Sequence, residues 1–321
     1  MKLRDRRVAI TGAAGFIGSH LADALAGSCD LVLIDNLSSG RKGNLADALK
    51  KGRAAFVKED LLGAKMPGVL KGAEVVVHLA ANPDVRSGAD DPKPTFEENI
   101  VGTFRLLEAC RKAGVKGFVL ASTSTVYGEA ARVPTPEDYG PLMPISMYGA
   151  SKLTCEALAA SYAHTYGMEY VAFRFANVVG GRSRHGVVWD LVQKLKRNPR
   201  KLEIIGREPG TSKSYVYIDD AVRGVLAGLD RAASQDVFNV GSFDAISVKE
   251  IAEIIVREMG LSNVPFSWTG GVAGGGWTGD VKRMVLYTAK LRGTGWLPKL
   301  TSAEAVAQAV RDSLNIGRKS P

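Results

Sequence analysis

The chain has 321 residues, 45% of them hydrophobic, with a formal net charge of +9. That is enough for one large core or two modest ones. Three scattered cysteines (Cys29, Cys110, Cys155) without CxxC spacing exclude a disulfide framework and a zinc site and point to a reducing compartment. No stretch approaches membrane-spanning length, and only Val8–Ile10, a very short apolar run, follows the charged first residues. A soluble cytoplasmic protein with no membrane partner is the expectation. Lys and Arg are spread along the chain, with short clusters only at Lys194–Arg197 and Arg200–Lys201. Solvated helix faces explain such a pattern better than a nucleic-acid patch.

In chain order, Arg7–Ile10, Leu31–Ile34, Ala54–Val57, Val75–Leu79, Gly117–Ala121 and Tyr170–Phe175 read as buried parallel strands. Amphipathic segments, among them Phe16–Ala26, Thr95–Ala113 and Ser151–Tyr166, separate them. This alternation predicts an α/β protein with a doubly wound parallel sheet. Past Phe175 the rhythm breaks into Gly-rich and polar segments (Gly180–Gly186, Gly206–Lys213, Thr269–Gly279) and shorter helices. A smaller α/β C-terminal region is expected there, with Ser214–Asp220 and Asp236–Val240 returning to the main sheet.

The first strand runs into Gly12-Ala13-Ala14-Gly15-Phe16-Ile17-Gly18 and then a helix. Glycines let the backbone approach a pyrophosphate, and the helix start turns free amides and its positive dipole end towards it. The next strand ends in Asp35, 23 residues after Gly12. A carboxylate there accepts hydrogen bonds from a ribose 2′-hydroxyl and repels a 2′-phosphate, which favours NAD over NADP.

Tyr148 and Lys152, four residues apart at the start of a helix, share one face. A tyrosine hydroxyl with a pKa of about 10 is drawn down by a neighbouring ammonium and can then exchange a proton with a substrate hydroxyl. A half-buried Tyr beside a snorkelling Lys is the plain alternative for this pair taken alone. The preceding strand ends in the hydroxyl-rich run Ala121-Ser122-Thr123-Ser124-Thr125-Val126-Tyr127-Gly128, at the edge where open α/β sheets bind ligands.

Together these motifs resemble the extended short-chain dehydrogenase/reductase family, and most closely its UDP-glucose 4-epimerases. The resemblance spans nearly the whole chain: Thr11–Gly18, Asp35-Asn36, Asp60-Leu61, His78–Ala81, Asn99, Gly102-Thr103, Thr123–Gly128, Tyr148–Lys152 and Arg174–Asn177. It implies a Rossmann domain over residues 1–176, with 214–242 returning to it, and a nucleotide-sugar domain over 177–213 and 243–321. It implies NAD held by Gly12, Gly15, Phe16, Ile17, Gly18, Asp35, Asn36, Ser39, Gly40, Asp60, Leu61, Leu79, Ala80, Ala81, Asn99, Ser122 and Phe175, together with Tyr148 and Lys152. Tyr148 would be the acid/base, Lys152 its electrostatic support, and Thr123 the contact to the reacting sugar hydroxyl. Asn177, Val187, Val188, Lys213 and Asp280 would line the UDP-hexose site, and Arg86 would contact sugar or phosphate. A homodimer joined through helices near Thr95–Ala113 and Ser151–Tyr166 is implied as well.

Relatives that dehydrate or decarboxylate the sugar carry an acidic residue after the catalytic Thr, because expelling a hydroxyl needs a proton donor. Here the positions hold Ser124 and Thr125, which favours epimerisation, a hydride-out, hydride-back reaction. The sequence also departs from its relatives. Lys213-Ser214 stands where an Arg often binds diphosphate, and Gly274–Asp280 lacks a second Arg. Lys lacks the bidentate fork, so Lys213 and Lys282 become the diphosphate candidates. Met284 falls near the position that gates bulk at the sugar C2 group, and Trp277 is expected to pack. His20 and His78 read as structural. Three rivals stay open: an epimerase of UDP-N-acetylhexoses or UDP-glucuronate, an NAD-dependent dehydratase, and a silent NAD- or RNA-binding relative.

Overall fold

The computed structural model describes residues 1–63, 65–272 and 275–315. Its centre is a seven-stranded, wholly parallel sheet: β1 Arg7–Thr11, β2 Asp30–Asp35, β3 Ala54–Lys58, β4 Val75–His78, β5 Gly117–Thr123, β6 Glu169–Phe175 and β7 Gln235–Val240. The strand order is β7-β6-β5-β4-β1-β2-β3. Helices of ten residues or more are α1 Phe16–Leu25, α2 Gly102–Ala113, α3 Met147–Tyr166, α4 Val187–Arg197, α5 Ile218–Arg231, α6 Val248–Glu258 and α7 Ser302–Asn315.

Side chains alternate across a strand, so a sheet covered on both faces needs apolar residues at every position. Along β1, Val8 and Ile10 face one layer with Leu21 of α1 and Val225 of α5. Ala9 faces the other, with Leu106 and Leu107 of α2 and Ala159 of α3. A separate core joins Leu191 and Leu195 of α4, Ile251 and Ile255 of α6, and Val306 and Val310 of α7. It lies beyond the carboxyl ends of the strands and forms the far wall of the cleft.

Register gathers the functional loops. Thr11 pairs with Ile34 on one side and His78 on the other, and Thr123 pairs with Phe175. The segments after β1, β2, β4, β5 and β6 therefore leave the sheet along one edge. The strand at Gln235–Val240 does join the central sheet, beside β6. Ser214–Asp220 does not: Tyr215–Tyr217 pairs with Asn177–Val179 in a separate two-stranded ribbon, and Ile218 already opens α5. The edge of β6 is taken by β7, and Tyr215–Tyr217 pairs instead with the strand that has turned off the sheet at Ala176. Thr95–Ala113 is likewise not uniform, since Phe96–Val101 is a π-helical turn leading into α2. Among the described residues, no helix is long and apolar enough to cross a membrane.

Candidate active site

A cleft of about 1150 Å³ opens between the carboxyl edge of the sheet and the second core. Its floor is the glycine loop. Gly12 has φ +67°, and a Cβ there would lie 2.6 Å from the Ala80 amide nitrogen, so only glycine lets β1 and the segment after β4 meet. Gly15 precedes α1 in an extended conformation with no side chain capping the helix, which leaves the first amides to a ligand. Asp35 is 7% exposed. Its carboxylate accepts from the Ala14 amide at 2.9 Å and the Leu37 amide at 2.7 Å, and so is fixed at the loop. Gly40 does not line the cleft. It packs on Asp35, where a Cβ would stand 2.9 Å from both carboxylate oxygens. Asn36 donates to Asp60 at 2.8 Å, and Ser39, Asp60, Leu61, Leu79, Ala80, Ala81 and Phe175 line the same space.

Helix α3 brings in the proton-transfer candidates. Ser146 caps it by accepting from the Gly149 amide at 3.1 Å, and Tyr148 and Lys152 follow on its cleft face with Thr123 opposite. Lys152 is buried and donates to the Ala121 carbonyl at 2.9 Å. The Thr123 hydroxyl lies 3.1 Å from that of Thr125. The Tyr148 hydroxyl makes no hydrogen bond to any described residue, and burial pushes its pKa up to about 12. The expected lowering by Lys152 is therefore not seen in the chain by itself. Burial sets the Tyr148 value, while the Lys152 ammonium, whose own pKa burial lowers, directs a proton at the Ala121 carbonyl.

Behind these groups stand two buried polar networks. In the first, Thr11 meets His78 Nδ1 at 2.8 Å, His78 Nε2 meets Thr103 at 2.9 Å, and Thr103 meets Cys155 at 3.2 Å. Asn99 belongs with this scaffold. It accepts from the Asn82 amide at 2.7 Å and donates to Ser151 at 2.9 Å, so it fixes the loop after β4 and does not line the cofactor groove as expected. The π turn aims it inward. In the second network Ser122 donates to Glu156, and Arg174 pairs with Glu156 at 2.7 Å. Ser122 reaches the cleft wall, but its hydroxyl is committed to that carboxylate.

Burial, and after it the Lys152 charge, push His78 down to about 3. A histidine neutral in the fold and protonated near 6.5 when unfolded contributes stability that is complete above pH 6.5 and is lost as pH falls towards 3. At about 1.4 kcal/mol per pKa unit the full loss is on the order of 5 kcal/mol. Urea unfolding between pH 7 and 4 should show it, with a distinctly shallower pH slope in His78→Gln. Equal slopes would place the acid sensitivity elsewhere.

At the outer end, Arg86 stacks on Trp277 with its guanidinium carbon 4.4 Å from the ring centroid and pairs with Asp190 at 3.2 Å. Lys213 sits 5.8 Å from the same ring centroid and pairs with Asp280 at 2.5 Å. Asn177 donates to the Ser214 carbonyl at 3.1 Å, and Val187 and Val188 open α4 along the cleft wall. Trp277 lines the cleft as well, beyond the packing role expected of it. Lys282 is exposed and outside the cleft, its amide tied to Glu129 at 3.0 Å. Met284 is buried among Val126 and Tyr127 and does not line the cleft. Gly274 lies outside the described residues. Three lining arginines escaped the sequence reading, Arg41, Arg182 and Arg184. They lie in two Gly- and Ser-rich loops, residues 38–43 and 180–186, and basic residues in loops of that composition are the signal that was there to find.

The chain belongs to the NAD-dependent epimerase/dehydratase family, whose model matches residues 8–241. It is 35% identical over 313 residues to a UDP-glucose 4-epimerase of Mycolicibacterium smegmatis, covering 95% of this chain and 97% of that one. Among solved structures it resembles a UDP-galactose 4-epimerase at 42% identity and TM-score 0.85, covering 97% of this chain and 99% of the other. It also resembles the UDP-glucuronic acid 4-epimerase of Bacillus cereus, solved with UDP-glucuronic acid and NAD, at 28% identity and TM-score 0.87, again covering 97% and 99%. The glycine loop fits the family's cofactor: a backbone cradle that a Cβ at Gly12 would fill, uncapped helix amides, and a carboxylate at the end of β2.

Proposed function

We propose that this chain is an NAD-dependent nucleotide-sugar 4-epimerase acting on UDP-glucose and UDP-galactose. The observation that carries the reading is Tyr148 in the cleft beside Lys152 and Thr123, with the hydroxyls of Ser124 and Thr125, not a carboxyl, next along the wall. NAD, when bound, supplies a two-electron acceptor that takes a hydride and gives it back, so no net redox change occurs. Tyr148 takes the C4 hydroxyl proton and returns it after the 4-keto sugar has turned in the cleft. Thr123 orients that hydroxyl, and the Lys152 ammonium favours the phenolate. Expelling a hydroxyl, as a dehydratase does, needs a further acid at the sugar, and the positions after Thr123 supply none.

Residues 1–176 with 214–242 would act as the cofactor half and the remainder as the sugar half. Arg86, Asn177, Val187, Val188 and Lys213 would flank the UDP-hexose, with Asp280 holding Lys213. A homodimer through α2 and α3 is supported by Phe104 and Tyr166, 45% and 50% exposed on those helices, since large apolar side chains at a surface favour burial by a partner. The three cysteines are buried and unpaired, which accords with the reducing cytoplasm.

The reading is tested by incubating the purified chain with UDP-galactose, with and without added NAD, and resolving the products. UDP-glucose should form, and formation without added NAD would mark a retained cofactor. An unchanged sugar together with turnover of UDP-glucuronate or a UDP-N-acetylhexose would move the substrate. No turnover of any of them would sink the epimerase reading.

A further inference from the structure

Four of the cations lining the cleft already have a counter-charge. Arg86 has Asp190, Lys213 has Asp280, Arg182 has Asp23 at 2.7 Å and Lys194 has Glu203. Three guanidinium groups, those of Arg41, Arg184 and Arg197, line the cleft without a hydrogen bond or ion pair to any described residue, and Arg184 stands 5.8 Å from the Trp189 ring centroid. Arg197 ends α4, whereas Arg41 and Arg184 lie in loops. They come from opposite walls. Arg41 follows β2, and its amide donates to the Ala14 carbonyl at 3.0 Å, beside the Asn44 side chain, which donates to the same carbonyl at 2.9 Å. That seats Arg41 on the glycine loop.

Arg184 lies in the loop after Asn177–Val179, on the side of the second core. This loop is bound down onto α1, the helix whose first amides face the glycine loop. His20 bonds the Gly181 carbonyl at 3.0 Å, and Asp23 pairs with Arg182 at 2.7 Å. The two guanidinium groups are close enough to repel: burial and, after it, the Arg41 charge lower Arg184 from its usual range. Two like charges facing one cleft without an acid partner favour an anion between them.

We propose that Arg41 and Arg184 form a two-sided clamp that closes over the pyrophosphate of the dinucleotide on the glycine loop and holds the cofactor in place through turnover. The inference rests on the cofactor reading above and assigns these two residues within it. Each guanidinium offers a planar fork of donors to phosphate oxygens, and the helix α1 amides meet the same group from below. The clamp belongs to the cofactor and not to the sugar nucleotide, because Arg41 rests on Ala14 while the Lys213 and Trp277 end of the cleft has its charges satisfied.

The test is calorimetric titration of NAD, and separately of UDP, into the full chain cleared of nucleotide, for the unaltered protein and for Arg41→Gln, Arg184→Gln and Arg184→Lys. Each Gln variant should raise the NAD dissociation constant about ten-fold, the scale of one charged hydrogen bond, and leave the UDP constant within about two-fold. Arg184→Lys should recover part of the loss, since the charge stays and the fork goes. Without nucleotide, the Gln variants should melt no lower than the unaltered chain, a result that a merely structural arginine would not give. NAD constants unchanged in both Gln variants would overturn the clamp, as would a loss confined to UDP. An unaltered chain that binds no NAD at all would instead overturn the cofactor reading, and the clamp with it.

Discussion

Tyr148→Phe should lower turnover of the sugar nucleotide by about a thousand-fold or more, the range of a lost general acid/base, while NAD titrates as in the unaltered chain. The hydroxyl removed makes no bond to any described residue, so its loss disturbs no packing. Its pKa of about 12 in the chain alone means that the phenolate is scarce at neutral pH and grows ten-fold per unit as pH rises. Charge next to it, from Lys152 and from the oxidised cofactor, favours the phenolate and brings the value down. Lys152→Met should therefore move the rising limb of the pH–rate profile to higher pH, in addition to lowering the plateau. Near-normal turnover in Tyr148→Phe would end the acid/base assignment. A pH profile unmoved in Lys152→Met would leave Lys152 a scaffold residue tied to the Ala121 carbonyl.

The second large effect falls on stability. Glu156 and Arg174 are 6% and 5% exposed, and Arg174 reaches past Glu156 to the Tyr127 hydroxyl at 2.9 Å and the Glu137 carbonyl at 3.1 Å. Tyr127 in turn donates to Asn239 at 2.8 Å. One ion pair thus joins α3, β5, β6, β7 and the segment after Tyr127. Glu156→Ala leaves a guanidinium buried without its carboxylate and should cost about 3–5 kcal/mol. It should appear as a lower urea midpoint at unchanged slope. Glu156→Leu combined with Arg174→Met should cost less than the two single changes added together, because the stranded charge is gone. A loss below about 1 kcal/mol in Glu156→Ala would mean that solvent or a neighbour replaces the pair.

The central sheet was legible because its strands, covered on both faces, are short β-branched and apolar runs, and because each is punctuated by a helix. The glycine loop, Asp35, Tyr148 and Lys152 were legible as local spacings whose chemistry is fixed by residue type. What escaped depends on pairings between distant segments. Nothing near Ser214–Asp220 says that β6 has already given its edge to β7. Asn99 looked like a groove residue because its inward turn comes from a π-helical step that periodicity does not reveal. Lys282 and Met284 were placed by counting along the chain. A short ladder sets what they neighbour: Arg283–Met284 pairs with Ser212–Lys213, a contact between segments some seventy positions apart that counting does not reveal. Arg41 and Arg184 are 143 positions apart and acquire meaning only as a facing pair.

The place of β7 in the chain has a consequence for synthesis. β6 ends at residue 175 and its partner strand ends at residue 240, so 65 residues separate the two. At roughly 5–20 residues per second, a nascent chain carries six assembled strands for about 3–13 seconds with the amides and carbonyls of β6 open along Tyr170, Val171, Ala172 and Phe173. An open apolar edge of that kind is a template for pairing with another chain. The interval before Val240 emerges is when this protein is most exposed to aggregation and most in need of a chaperone's cover.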